Sequence, residues 1–137
     1  MRALDLIAGT EIVPETVCWE MLASQSIGRV VFCHEGRVEI FPVNYALHEN
    51  QILFATNQGR KLTGVAHGEI AFEVDWVDPS SRSGWSVVVR GTARSLTEID
   101  SDTAAVIRRA CLSWTGSKDF VVLVRAGSIT GRRVAPA

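Results

Sequence analysis

The sequence is poor in cysteine, and it lacks both a long apolar run and an excess of either charge. Its three cysteines are widely spaced and form no C-x-x-C pair, which favours reduced thiols over a disulfide framework or a zinc site. No stretch approaches the roughly 18 apolar residues of a membrane helix, and an early acid interrupts the N-terminal segment, unlike a signal peptide. We therefore expect a cytoplasmic protein that has no membrane partner.

Several classes of function lack the residues that they need. A net charge of -1 argues against nucleic acid as the principal partner, because binding to the phosphate backbone needs a basic stripe. His34, His48 and His67 are isolated from one another, so no metal site is predicted. No serine has a G-x-S-x-G setting, and no cysteine has an evident base. Glu73 and Asp75 share one strand face. They form either a pair of acids that could act in catalysis or part of a solvated surface.

Length and apolar content indicate one domain over residues 1–137. Hydrophobic residues make up 47% of the chain, and four tryptophans and five phenylalanines need cover. Because a small barrel has limited room inside, part of this apolar surface is expected to be buried against another subunit. We therefore expect a homodimer.

Apolar periodicity predicts a mainly β chain. In the clearest strand, Ile70, Phe72, Val74 and Trp76 alternate toward the core. The predicted strands cover residues 27–34, 37–47, 51–56, 69–76, 85–96 and 120–124. Helices are predicted at 14–25, between Asn57 and Gly68, and from about 100 to 114–116. A basic tail with Arg125, Arg132 and Arg133 follows the last strand. The fold class is therefore a split β-barrel of about six antiparallel strands with two to three flanking helices.

The turn between the third strand and the short helix has the composition of a phosphate site. Asn57 is the expected N-cap, so the free amides after it point toward the mouth of the helix and favour an anion there. Gly59 allows close approach of the backbone, and Arg60 and Lys61 supply two cations. A solvated turn is the alternative.

The ordered set of segments resembles the pyridoxamine 5'-phosphate oxidase-like family of FMN-binding split barrels, in particular its shorter members. The residues that carry the resemblance span most of the chain: Gly28–Phe32, Ile40–Tyr45, Phe54–Lys61, Phe72–Asp75 and Gly84–Gly91. The resemblance implies that Arg60 and Lys61 hold the flavin phosphate and that Thr56 lies beside the ribityl chain or the ring. This role for the turn agrees with the interpretation from its composition.

The resemblance also implies the other residues around the flavin. Pro42, Val43 and Asn44 match the strand whose backbone lies along the edge of the isoalloxazine ring. A proline inside a strand removes a backbone donor and suits an edge or a bulge, with or without a ligand. Trp85 and Ser86 match residues that reach the partner's flavin across the dimer, although ordinary core or interface packing also suits Trp85.

These expectations lead to a flavin-binding oxidoreductase that uses FMN to transfer hydride or electrons to or from a small molecule. A reductase that uses a deazaflavin is one alternative, and a non-catalytic protein that binds flavin or haem is another. The full oxidases carry a serine before the Arg-Lys pair, whereas here Gly59 precedes Arg60 directly. Arg132 and Arg133 could complete the phosphate site or remain in a solvated terminus.

Overall fold

The computed structural model describes residues 10–57, 62, 68–96, 98–110 and 120–135. This part of the chain contains seven strands and two helices. In chain order they are β1 (Thr10–Val13), α1 (Glu15–Ala23), β2 (Ile27–His34), β3 (Arg37–His48), β4 (Gln51–Thr56), β5 (Glu69–Asp78), β6 (Ser83–Leu96), α2 (Ser101–Ala110) and β7 (Phe120–Val134).

The strands form an antiparallel barrel that closes through β6 and β7. Along the sheet the order is β1-β7-β4-β3-β2-β5-β6, and β6 pairs with β7 as well. On its other side β7 pairs first with β4, at residues 120–124, and then with β1, at residues 131–134. The barrel is split where β4 leaves β7 and β1 has not yet joined it. The predicted mainly β split barrel is therefore confirmed.

Tight turns set the register of the β2–β4 meander. Glu35 and Gly36 have φ values of 51° and 75°, and Glu49 and Asn50 have φ values of 53° and 59°. Two successive left-handed residues characterise the two-residue turns that match the twist of a hairpin, and glycine and asparagine tolerate this conformation best. These turns bring β2, β3 and β4 side by side, as the sequence predicts.

Aromatic side chains fill the barrel interior. Phe54 and Phe72 are fully buried and their ring centroids lie 6.1 Å apart, while Tyr45 meets Phe72 edge to face at 5.2 Å. Gly28 makes room for this packing, because a Cβ atom there would stand 2.4 Å from the Phe72 ring. Helix α1 closes one opening of the barrel with the buried side chains of Cys18 and Leu22.

Two predictions about the last strand are wrong, and one strand was not predicted. The last strand does not end at Val124, and Arg132 and Arg133, although exposed to solvent, do not belong to a tail. Both arginines lie inside β7, where they pair with β6 and β1. The apolar run that predicted this strand covers only its first third. Beyond it, pairing with β6 continues the strand, and β1 adds a second partner at residues 131–134. Strand β1, which has four residues, was not predicted at all.

Trp76 is not a core residue, although it continues the alternation of β5. Its exposed fraction is 43% because β5 runs beyond the packed interior toward the hairpin at residues 79–82. Helix α1 matches its prediction within two residues at each end. The predicted short helix between Asn57 and Gly68 lies outside the described residues, except for Leu62, which is buried. The predicted end of α2 near residues 114–116 also lies outside them.

Candidate functional site

Three of the residues predicted for the flavin site lie just beyond the end of the β3–β4 ladder. The ladder runs from His48↔Gln51 to Tyr45↔Phe54. The ladder stops there, and beyond its last pair β3 carries Val43 and Asn44 while β4 carries Ala55 and Thr56. Val43, Asn44 and Thr56 are at least 95% buried. Thr56 therefore ends β4 directly before the turn, and the neighbouring strand β3 carries Val43 and Asn44.

Pro42 lies at an interruption of the sheet, as the sequence argument requires. On one side it pairs with Arg29 of β2, but the ladder with β4 has already ended at Tyr45. At Pro42, the side of β3 that faces away from β2 is thus a free strand edge. Because proline has no backbone N–H, no donor is left unpaired there. Pro42 is exposed. A planar ligand could lie along this edge.

Asn44 carries a buried side-chain acceptor that has no partner among the described residues. Its Nδ2 donates to the backbone oxygen of Ser26 at 3.3 Å, whereas its Oδ1 is buried and accepts no hydrogen bond. Leaving a buried polar atom unpaired costs about 1–3 kcal/mol. Buried unpaired polar atoms are rare in native proteins, and a ligand donor is one explanation for them. A flavin, which carries a ring N–H and carbonyl groups, fits this position chemically.

Trp85 and Ser86 lie elsewhere on the barrel. Both belong to β6, which β2 and β5 separate from β3. Three strand spacings of about 4.8 Å put them on the order of 14 Å from Asn44 within the sheet. They line an open groove of about 630 Å³ that also includes Arg82, Arg132 and other residues. Within one chain, the structure does not bring Trp85 and Ser86 to the residues of β3 and β4.

The two predicted phosphate ligands, Arg60 and Lys61, lie outside the described residues, as do Gln58 and Gly59. The described chain reaches Asn57 on one side of this turn and includes Leu62 on the other. Thr56 and Leu62, one on each side of the predicted phosphate ligands, are both buried.

An ion cluster on the outer face of the barrel was missed from the sequence. The Arg29 guanidinium lies 3.0 Å from a Glu73 carboxylate oxygen and 3.5 Å from one of Asp75. Burial, together with the neighbouring Asp75 carboxylate, raises the pKa of Glu73 to about 7, although the Arg29 guanidinium opposes this rise. The alternation of β5 correctly predicted that Glu73 and Asp75 share one strand face. Only the register of β5 on β2 identifies Arg29 as their partner.

Other kinds of site find no support in the described part of the chain. No group of three or more His, Cys, Asp or Glu residues there could hold a metal ion. Neither α1 nor α2, at nine and ten residues, has the length and apolar character of a membrane-spanning helix.

Comparison with known proteins decides the family. The family model for pyridoxamine 5'-phosphate oxidase matches residues 14–133, which is most of the chain. The chain belongs to the pyridoxamine 5'-phosphate oxidase family. Its first helix, its barrel and nearly all of β7 fall within the matched residues, so the family resemblance expected from the sequence is confirmed.

Three solved structures share this fold. The FAD-binding protein of Mycobacterium smegmatis is 32% identical, with a TM-score of 0.68, and the match covers 91% of this chain and 98% of that protein. The FAD-binding protein of Mesorhizobium loti has a TM-score of 0.78 at 18% identity, covering 92% and 99%. A haem-binding protein of M. smegmatis has a TM-score of 0.62 at 18% identity, covering 85% and 53%. Structural neighbours of this barrel thus include flavin-binding and haem-binding proteins.

Proposed function

We propose that this protein binds FMN at the end of the β3–β4 ladder and in the turn after β4. The observation that carries the proposal is the buried, unpaired Oδ1 of Asn44 beside the open strand edge at Pro42. Membership of the oxidase family and the FAD-binding protein at 32% identity support a flavin as the ligand.

Each residue of the site has a proposed role. Pro42, Val43 and Asn44 frame the edge of the ring, and Thr56 lies beside the ribityl chain or the ring. Arg60 and Lys61 hold the phosphate at the turn, where two cations and free amides favour an anion. When bound, the flavin supplies the hydride and electron chemistry, and the protein mainly binds and orients it. We therefore propose an oxidoreductase that acts on a small molecule.

The site is proposed to be completed in a homodimer. Within one chain, Trp85 and Ser86 are too far from Asn44 to contact the same edge of a flavin ring. The other side of the flavin site is therefore formed by the partner's Trp85 and the partner's Ser86. Exposed apolar side chains on β2 and β3 support burial against another copy: Ile27, Val38 and Ile40 are 45%, 72% and 61% exposed. Light scattering should give twice the chain mass, and Ile40→Lys should shift the protein toward monomer.

The free thiols support a reducing compartment. In the described part of the chain, Cys18 is buried and Cys33 is exposed, and neither forms a disulfide. We propose the cytoplasm as the location on this basis.

Mass spectrometry of the small molecule that co-purifies tests the identity of the ligand. The mass of FMN is expected. The mass of FAD, of a deazaflavin or of haem would instead identify that molecule as the ligand. Bleaching of the bound chromophore by NAD(P)H, followed by recovery in air, is expected for the enzyme. A chromophore that no reductant bleaches would instead favour a non-catalytic binder. A colourless protein that does not take up added FMN would contradict the proposal.

A further inference from the structure

A second cleft adjoins the proposed flavin site. It has a volume of about 430 Å³ and lies between the C-terminal end of α1, strand β3 and helix α2. This volume falls within the range of small-molecule sites. Apolar groups of Leu22, Ala46, Leu47 and Val106 form much of its wall.

The charge in this cleft has one sign. Among the described residues that line it, Arg109 carries the sole full charge, and no acid is present. Its Nε donates to the backbone oxygen of Ala105 at 3.4 Å, and no described acidic side chain forms a salt bridge with it. An apolar cleft with one unneutralised guanidinium is complementary to an apolar molecule that carries one anionic group.

The cleft is lined by residues that adjoin Asn44, although Asn44 itself does not line it. Tyr45, Ala46 and Leu47, which follow Asn44 on β3, line it, and so does Ser26, whose backbone oxygen accepts from Asn44 Nδ2. A molecule in this cleft would therefore lie next to the strand that is proposed to frame the flavin ring. We propose that the cleft binds a small apolar carboxylate as the substrate, with Arg109 determining specificity for the anion. Its role as a substrate site rests on the proposed flavin function, whereas carboxylate binding itself does not.

Calorimetric titration with 3-phenylpropionate and with its uncharged amide tests the inference on the full chain. The carboxylate should bind about tenfold or more tightly than the amide, because a charge-assisted contact to Arg109 is lost in the amide. Arg109→Gln should remove this preference. Arg108→Gln is the matched control. Arg108 lies on the same helix, is exposed like Arg109 and donates from its Nε to Ala104 O at 3.4 Å, yet it does not line the cleft. The control should keep the preference.

A second variant tests the location independently of charge. Val106→Phe should narrow the cleft and weaken binding of both the carboxylate and the amide, while circular dichroism confirms the fold of each variant. Absence of binding by either probe, or equal effects of Arg108→Gln and Arg109→Gln, would overturn the inference.

Separate FMN titrations of the same variants distinguish the two proposals. If the probes bind as expected but FMN does not, the cleft remains a carboxylate site and the flavin function fails. If FMN binds but the carboxylate preference is missing, the flavin function stands and the inference about the cleft fails.

Discussion

Replacing Asn44 with leucine should stabilise the ligand-free protein while weakening its binding of flavin. The substitution removes a buried oxygen that has no partner among the described residues, and an unpaired group of this kind costs about 1–3 kcal/mol. It also removes the 3.3 Å hydrogen bond from Asn44 Nδ2 to Ser26, worth about 1 kcal/mol. The Ser26 oxygen still accepts the Tyr45 N–H at 3.1 Å, so no carbonyl is left unpaired.

The net change in the free energy of unfolding is therefore expected to lie between zero and a gain of about 2 kcal/mol. In the complex, a ligand donor that faced Asn44 would instead face leucine, which costs about 1–3 kcal/mol, or roughly 5- to 150-fold in affinity. Urea unfolding of the ligand-free protein, followed by tryptophan fluorescence, measures the first quantity. Quenching of flavin fluorescence on titration measures the second.

Ser95→Ala is the control for the stability measurement, because Ser95 Oγ is likewise buried and unpaired within the described chain. It should also leave the protein as stable as the wild type or more so. A loss of more than about 1 kcal/mol of stability in Asn44→Leu would refute the assignment of an unpaired acceptor, since it would mean that the side chain is satisfied. Unchanged flavin affinity would separate Asn44 from the ligand.

Three further predictions concern pH, packing and thiol reactivity. The pKa of Glu73 rises from 4.5 to about 7 on folding, so its stabilising contribution is present below pH 4.5 and is lost as the pH rises through 7. Because the side chain is partly exposed and screened, the loss of stability should be about 1 kcal/mol. Urea unfolding at several pH values should show this loss in the wild type and not in Glu73→Gln. The same dependence of stability on pH in both proteins would contradict the prediction. Gly28→Ala should lower stability by about 1–3 kcal/mol, because its Cβ would overlap the buried Phe72 ring, and an unchanged melting temperature would argue against that packing. In a variant that lacks Cys111, Ellman's reagent should modify the exposed Cys33 rapidly and the buried Cys18 only on unfolding. Burial also raises the pKa of the Cys18 thiol, which lowers its reactivity. Rapid modification of both cysteines would contradict this prediction.

Local patterns were sufficient for the strands whose register depends on adjacent turns. The glycine and asparagine of the two tight turns fixed β2, β3 and β4 within one or two residues, and alternation fixed the inward face of β5 from Ile70 to Val74. The position of Pro42 at a strand edge was also accessible, because a proline cannot donate to a ladder.

Features that depend on long-range pairing were not accessible. The polar second half of β7 forms a strand because β6 pairs with it and β1 adds a second partner at residues 131–134, and no local pattern reports that. Arg29 and Glu73 are 44 residues apart, so only the register of β5 on β2 reveals their ion pair. The unpaired oxygen of Asn44 is likewise a property of packing, since the sequence gives the residue type but not its partners.

Titration of the ligand-free protein with FMN, compared between the wild type and the Arg60→Ala/Lys61→Ala double variant, tests the flavin site most directly. The wild type should bind one FMN per chain, and the double variant should bind at least roughly tenfold more weakly, because a charge-assisted phosphate contact is worth about 1.5–3 kcal/mol. Riboflavin, which lacks the phosphate, should bind both proteins equally. Equal FMN affinity in the two proteins, or no binding by the wild type, would contradict the site proposed at the turn after β4.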